Sequence, residues 1–251
     1  MRITQAFAVL ALFPLVAFGA TQSGSWSLAP ADQPDRAQFS MQGSGSHGDD
    51  HFSTSSPWKL AELQGLDWAT TAKHDVSFNI ARDAGTIDCK GFVQEQRGAG
   101  LFTFQPNPQY LPEMAKLGYS FEGKDLLSAT IFDVSFEFAR AMKSAAVRGL
   151  DAGKLFAFRI HGVTPQFVRD LRAAGLEAAD AGKLIAFRIH GVSAEFAGEI
   201  GHLGYPHAPA DQLIALRIHG VTPEYIEGLR SKGMQNLTLD QLISLRIHGI
   251  D

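Results

Sequence analysis

The chain has 251 residues, of which 45% are apolar and 19% charged, the balance of a globular protein with one large domain or two small ones. A formal net charge of -4 argues against nucleic-acid binding, which calls for a basic face to neutralise phosphates. The single cysteine, Cys89, excludes an internal disulfide and reads as a small buried hydrophobe within a strand, with a reactive thiol as the alternative.

Residues 1–20, MRITQAFAVLALFPLVAFGA, place Arg2 before an apolar run from about Ala6 to Phe18. Ala17-Phe18-Gly19 fits a small-residue cleavage pattern, so the segment reads as a secretory signal peptide. It is too short for a comfortable transmembrane helix, and no stable membrane span is expected after cleavage. No cysteine stands near the cleavage site for a lipid anchor, and a retained anchor is the alternative. The expected mature chain begins near Ala20 or Thr21, is exported and periplasmic, and relies on its core rather than on disulfides.

Residues 21–104 follow a period of two. WSLAP, RAQFSMQ, VSFNIA, TIDCKGFVQ and GLFTFQ are runs rich in β-branched and aromatic residues. Turn chemistry separates them at Pro30 to Asp35, Asp83-Ala84-Gly85 and Arg97-Gly98-Ala99-Gly100. In VSFNI, Val76, Phe78 and Ile80 alternate with polar Ser77 and Asn79, the mark of a strand with one buried face. This predicts a small antiparallel sheet, interrupted by a flexible Gly/Ser loop at about 43–56.

From residue 105 the period becomes helical. Arg-Ile-His-Gly recurs at Arg159, Arg188, Arg217 and Arg246, 29 residues apart each time. Thr164-Pro165-Gln166-Phe167 also matches Asn107-Pro108-Gln109-Tyr110, with Val134-Ser135-Phe136-Glu137-Phe138 as a degenerate copy between them. Residues 105–251 therefore hold about five units, each a helical hairpin that buries a face only against its neighbours. The fold class is α+β: a small N-terminal antiparallel sheet followed by a solenoid-like array.

Each unit carries its own punctuation. Thr164, Ser193 and Thr222 cap a first helix, and Pro165 and Pro223 occupy its first position. Gly118, Gly175, Gly204 and Gly233 stop it, with Ala146 in that place once, and the apolar residue that follows completes a Schellman pattern. Asp151, Asp180 and Thr238 cap the second helix, Pro209 being the odd one. Gly162, Gly191, Gly220 and Gly249 end it.

At 100° per residue, Leu184, Ile185, Phe187 and Ile189 mark an apolar arc of about 200°, with Arg188 at its centre. Arg159, Arg217 and Arg246 share that position, whereas the earliest unit has Thr130 there. An unpaired buried charge is costly. Each guanidinium is therefore expected to meet a neighbouring helix-end carbonyl or a carboxylate such as Asp170, Glu199 or Glu227. The other reading is a ladder that receives an acidic peptide or a carboxylated ligand. His161, His190, His219 and His248 fall off the arc in the last turn, where an imidazolium suits the helix dipole. Successive histidines stand about 10 Å apart by helix spacing, too far to share a metal.

His47, Asp49, Asp50 and His51 offer metal-ligand chemistry within five residues, but in a Gly/Ser stretch that reads as a solvated loop. No HExxH, GxSxG, P-loop or GxGxxG motif occurs, and no cofactor or enzymatic activity is expected. Residues 134–251 hold 13 Lys/Arg against 12 Asp/Glu, a balance that weakens a DNA-binding reading of the hairpins.

HGVTPEYI at 219–226, the LRSKG that follows and DQLIALRIHG at 211–220 resemble the C-terminal repeats of bacterial membrane metallopeptidases of the beta-lactam-sensor type. Similar arrays occur in exported bacterial proteins of unknown function, often beside a β-rich segment like RDAGTIDCKGFVQEQRGAGLFTFQPNP at 82–108. The resemblance covers about residues 75–251. It brings no catalytic residue, since the metallopeptidase's HExxH helix and membrane spans have no counterpart here. It implies a Gram-negative envelope setting and a recognition role.

The expected function is a non-enzymatic binding or scaffold module for another envelope protein or peptide. The alternatives are a regulatory or ligand-sensing periplasmic protein, with the sheet as ligand site, and a metal-dependent enzyme built on the His47–His51 cluster. Self-association through the C-terminal repeat is also expected unless Leu242, Leu245 and Ile247 are covered by the preceding unit.

Overall fold

A computed structural model of the chain describes residues 22–44, 51–176 and 180–250. The leader-like residues 1–20 lie outside the described residues, as do His47, Asp49 and Asp50. The architecture is α+β, a six-stranded antiparallel sheet followed by ten α-helices among the described residues.

The strands are β1 (Ser23–Pro30), β2 (Arg36–Ser44), β3 (His51–Lys59), β4 (His74–Arg82), β5 (Gly85–Gln94) and β6 (Arg97–Pro106), in spatial order β3-β2-β1-β6-β5-β4. The expected loop at 43–56 is shorter than read: Gly43 and Ser44 complete β2, and residues 51–56 open β3. Hydroxyl side chains hide the alternation there, because the pairing is polar on the outer face. Gln38 Nε2 donates to Ser55 Oγ at 2.7 Å, and the Ser40 and Ser55 hydroxyls stand 2.8 Å apart.

A second correction concerns Arg97-Gly98-Ala99-Gly100, which belongs to β6 rather than to a turn. The hairpin turns at Glu95 and Gln96, with φ of +49° and +56°, the backbone of a primed two-residue turn. The glycines instead make room for an indole. A Cβ on Gly91 would come within 2.7 Å of a Trp26 ring carbon, and one on Gly98 within 3.2 Å.

The sheet curls strongly. Three strands separate β2 from β4, so a flat sheet would hold them about 19 Å apart at the usual strand spacing. Phe39 of β2 and Phe78 of β4 nevertheless have ring centroids 6.1 Å apart, and Trp26 lies 5.1 Å from Phe78. The inner face therefore closes on itself as an aromatic core, and Cys89 is fully buried within it. A 3-10 turn at Leu60–Glu62 and a bridge from Gln64 to Asn79 bring the next segment against β4.

The helices form five hairpins: α1 (Tyr110–Lys116) with α2 (Leu126–Ile131), α3 (Phe136–Ser144) with α4 (Ala152–His161), α5 (Pro165–Ala173) with α6 (Ala181–His190), α7 (Ala194–His202) with α8 (Ala210–Ile218), and α9 (Pro223–Ser231) with α10 (Leu239–Ile247). Thr164, Ser193 and Thr222 accept from the N–H three residues on, as do Asp151, Asp180 and Thr238, while Pro209 makes no side-chain cap. Each such cap contributes about 1 kcal/mol. The stops follow Schellman geometry: at Gly175, φ is +82°, its N–H donates to Arg172 and that of Leu176 to Leu171.

The second helices α4, α6, α8 and α10 stack in that order, α5 stacks on α7 behind them, and α2 packs against β5 and β6. The sheet thus covers the first end of the array, and one hydrophobic core runs through both regions. Polar contacts fix the junction. Asp83 accepts from the Phe136 N–H at 2.7 Å at the start of α3, and Arg82 of β4 donates to the Thr130 and Ile131 carbonyls at the end of α2.

Candidate functional site

The Arg-Ile-His-Gly motif ends each of the second helices α4, α6, α8 and α10, and its four residues do four different things. The arginine reaches back to the preceding unit. Arg188 Nε donates to the His161 carbonyl at 3.2 Å, and Arg217 Nε to the His190 carbonyl at 3.4 Å. Each guanidinium also lies over an aromatic ring of its own unit's first helix: Arg159 over Phe138, Arg188 over Phe167, Arg217 over Phe196 and Arg246 over Tyr225, all at 4.8 to 5.1 Å. A cation at a helix C-terminus is favoured by the dipole, and stacking on a ring adds to it. Of the acceptors expected for Arg188 and Arg217, these are the carbonyls, and not the carboxylates Asp170, Glu199 or Glu227.

The glycine has two tasks. Gly162 and Gly191 take φ of +70° and +71° to stop the helix. A Cβ on either would stand 2.9 Å from a guanidinium nitrogen of the next unit, Arg188 over Gly162 and Arg217 over Gly191. The stop residue is therefore also the seat of the following arginine.

At the first rung the pattern is modified. Thr130-Ile131-Phe132-Asp133 stands where later units have Arg-Ile-His-Gly, and Asp133 keeps the left-handed backbone with φ of +53°. Arg159 donates to the Phe132 carbonyl at 2.9 Å and to the Asp133 carboxylate at 2.6 Å. From the sheet, Arg82 donates to the carbonyls of Thr130 and Ile131, ion-pairs Glu62 at 2.6 Å and Asp133 at 3.7 Å, and lies over Trp58 at 4.7 Å. An arginine over an aromatic ring thus closes the helix end at the sheet junction too.

The histidines act through their backbone. The carbonyls of His161 and His190 receive the arginines, while the imidazoles of His161, His190, His219 and His248 are exposed. His248 alone meets the expectation of a ring on a terminal carbonyl, with Nδ1 2.7 Å from the Ser244 oxygen.

The isoleucine corrects the helical projection. Ile189 was expected inside the buried arc, yet Ile160, Ile189, Ile218 and Ile247 are 54%, 55%, 54% and 57% exposed. In α6 the buried residues are Ala181, Leu184 and Phe187, an arc of about 120° rather than 200°. The reason is the layer: α6 and α8 each have a second helix on both flanks, and the isoleucine side of the layer is left to solvent. Four isoleucines thus stand exposed at the same position of four helices stacked in series, which apolar content alone does not reveal. At the last unit Leu242 is 1% exposed and Leu245 partly buried, so these two are covered, whereas Ile247 is 57% and Ile250 43% exposed.

Elsewhere, β5 and β6 carry exposed Phe92 and Leu101 beside an apolar groove of about 740 Å³ on the sheet's outer face. Of the suggested metal ligands only His51 is described; it lies in β3, with Nδ1 3.4 Å from the Ser44 hydroxyl. Among the described residues no group of three or more His, Cys, Asp or Glu stands where it could hold a metal ion, and no helix is long and apolar enough to cross a membrane.

No protein-family model, no curated protein and no solved structure matches the chain.

Proposed function

We propose that this protein is a non-enzymatic binding or scaffold module of the bacterial envelope, and that the outer face of its helical array holds another envelope protein or peptide. The observation that carries the reading is the row Ile160, Ile189, Ile218 and Ile247, each more than half exposed at the same place in its repeat. Single exposed apolar residues are ordinary on any surface, whereas a contiguous apolar patch marks an interaction site. The leader-like residues 1–20 support export, and the helical repeat supports an extended recognition surface. A photo-crosslinking residue placed at Ile189, and in parallel at Ser40 on the outer face of the sheet, tests this in cells. A discrete protein adduct from position 189 alone is expected; the same products from both positions, or none from 189, would contradict it.

A second reading, a ligand sensor that uses the sheet, is favoured by the groove beside Phe92 and Leu101. Calorimetric binding of peptidoglycan fragments to the full chain, abolished by Leu101→Lys, would move the function there.

A further inference from the structure

The isoleucine row has an electrostatic frame and a fixed pitch, and together they describe its occupant. In the last turn of each second helix, Arg159, Arg188, Arg217 and Arg246 precede the isoleucine, and His161, His190, His219 and His248 follow it, with no carboxylate among these residues. The nearest acids along these helices, Asp211 and Asp240, belong to the opposite, N-terminal ends of α8 and α10. They are already engaged, Asp211 by Lys183 and Asp240 by Gln212 at 3.0 Å. A chain lying along the row thus meets apolar rungs beside the guanidinium groups of Arg188, Arg217 and Arg246, while at the first rung Arg159 is paired with the Asp133 carboxylate at 2.6 Å. A second copy of the same row would bring its guanidinium groups face to face, so charge complementarity favours an acidic partner over self-association.

The pitch narrows the choice further. Packed helices lie about 8 to 10 Å apart, which sets the distance between rungs. A polyproline II chain advances about 9.3 Å in three residues, within that range, so an apolar side chain at every third position can follow the rungs. A β-strand offers same-face side chains about 6.6 or 13 Å apart and loses register after one rung. An α-helix matches only at every seventh residue, about 10.5 Å, and leaves the turns between unmatched. We infer that the row Ile160, Ile189, Ile218 and Ile247 is the docking surface for an extended acidic peptide that carries an apolar residue at every third position.

The inference rests on the binding-module reading, and the experiment separates the two. The probe is a fluorescein-labelled peptide of four Leu-Pro-Glu triplets, whose leucines are held extended by the prolines that follow them. The control has the same composition with its leucines clustered, and the protein is the full chain. Fluorescence anisotropy is expected to show at least ten-fold tighter binding of the triplet peptide. The double variant Ile189→Gln, Ile218→Gln is expected to weaken it at least ten-fold without lowering the melting temperature. Equal binding of the two peptides, or binding indifferent to the variant, would overturn the inference. Ile-dependent binding to phosphatidylglycerol vesicles, or an Ile-dependent dimer in sedimentation, with no triplet-peptide binding, would overturn it in favour of those occupants. If the peptide fails while position 189 still crosslinks to a protein in cells, the ligand class falls and the module reading stands; if both fail, both fall.

Discussion

Arg188 and His161, 27 residues apart, meet where the Arg188 Nε donates to the His161 main-chain carbonyl at 3.2 Å. The same interval separates Arg159 from Phe132, Arg217 from His190 and, on the other row of helices, Arg230 from Leu203, whose carbonyl Arg230 caps while lying 6.0 Å from the Tyr205 ring. One device therefore ties each of these units to the one before it. Neither end of the contact is a ligand-binding group in this role: the arginine closes a helix end, and the histidine supplies a carbonyl.

The first rung tests whether charge or backbone governs the junction of sheet and array. Asp133 sits between Arg82 and Arg159 with a left-handed backbone that asparagine also tolerates. Asp133→Asn keeps the conformation and removes the charge. Hydrogen bonds to charged groups contribute about 1.5 to 3 kcal/mol, less where solvent reaches them, so a loss of about 1 to 2 kcal/mol is expected in urea unfolding. An unchanged midpoint would mean that the carbonyl bonds of Arg82 and Arg159 suffice.

Cys89 is predicted to be inert in the native protein. Burial first, and then neighbouring Asp88, push its thiol up to about 12, leaving almost no thiolate at neutral pH. Ellman's reagent at pH 8 should titrate no thiol until denaturant is added. Stoichiometric reaction of the folded chain would show that the aromatic core opens readily.

The loop before β4 is predicted to hold best in a defined pH window. The His74 ring is raised above 6.5, first by the Ala72 carbonyl at 2.8 Å and then by the carbonyl and carboxylate of Asp67, with burial opposing. Asp67 is lowered below 3.8, chiefly by the Thr70 hydroxyl at 2.7 Å. Protonated His74 stabilises the folded loop fully below 6.5, and that contribution is lost as pH rises through its raised value. Ionised Asp67 contributes above 3.8, and its share is lost as pH falls through its lowered value. Proton NMR should find His74 titrating above 6.5 and moving down in Asp67→Asn. Identical titration in the variant would remove the carboxylate from the account.

Much of the array is legible in the sequence because its signals are local. A capping hydroxyl three residues before the N–H it serves, a proline at the first helical position and a glycine followed by an apolar residue each state a helix boundary without reference to the fold. The sheet is less legible where side-chain chemistry and backbone state diverge. Ser53 and Ser55 read as loop but pair in β3, and Gly98 reads as turn but makes room for Trp26. The closure of Phe39 on Phe78 is a property of strand order, which no single segment encodes. The isoleucine row was hidden for a related reason. Ile189 and Phe187 are equally apolar, and only the layer of neighbouring helices decides that Phe187 is buried and Ile189 is not.

The central claim is a division of labour within Arg-Ile-His-Gly: arginine and glycine build the array, and isoleucine is its working surface. Thermal melting of two double variants tests it most directly, Arg188→Ala, Arg217→Ala against Ile189→Gln, Ile218→Gln. Helix-end capping and ring stacking together contribute about 1 to 2 kcal/mol per arginine, so the first variant should melt several degrees lower. The second should melt with the wild type, because it changes only side chains that are more than half exposed. Arg188 and Arg217 are themselves exposed, so only the melting separates the roles: if the arginine variant melts normally while the isoleucine variant unfolds early, the isoleucines hold the array together and the arginines do not.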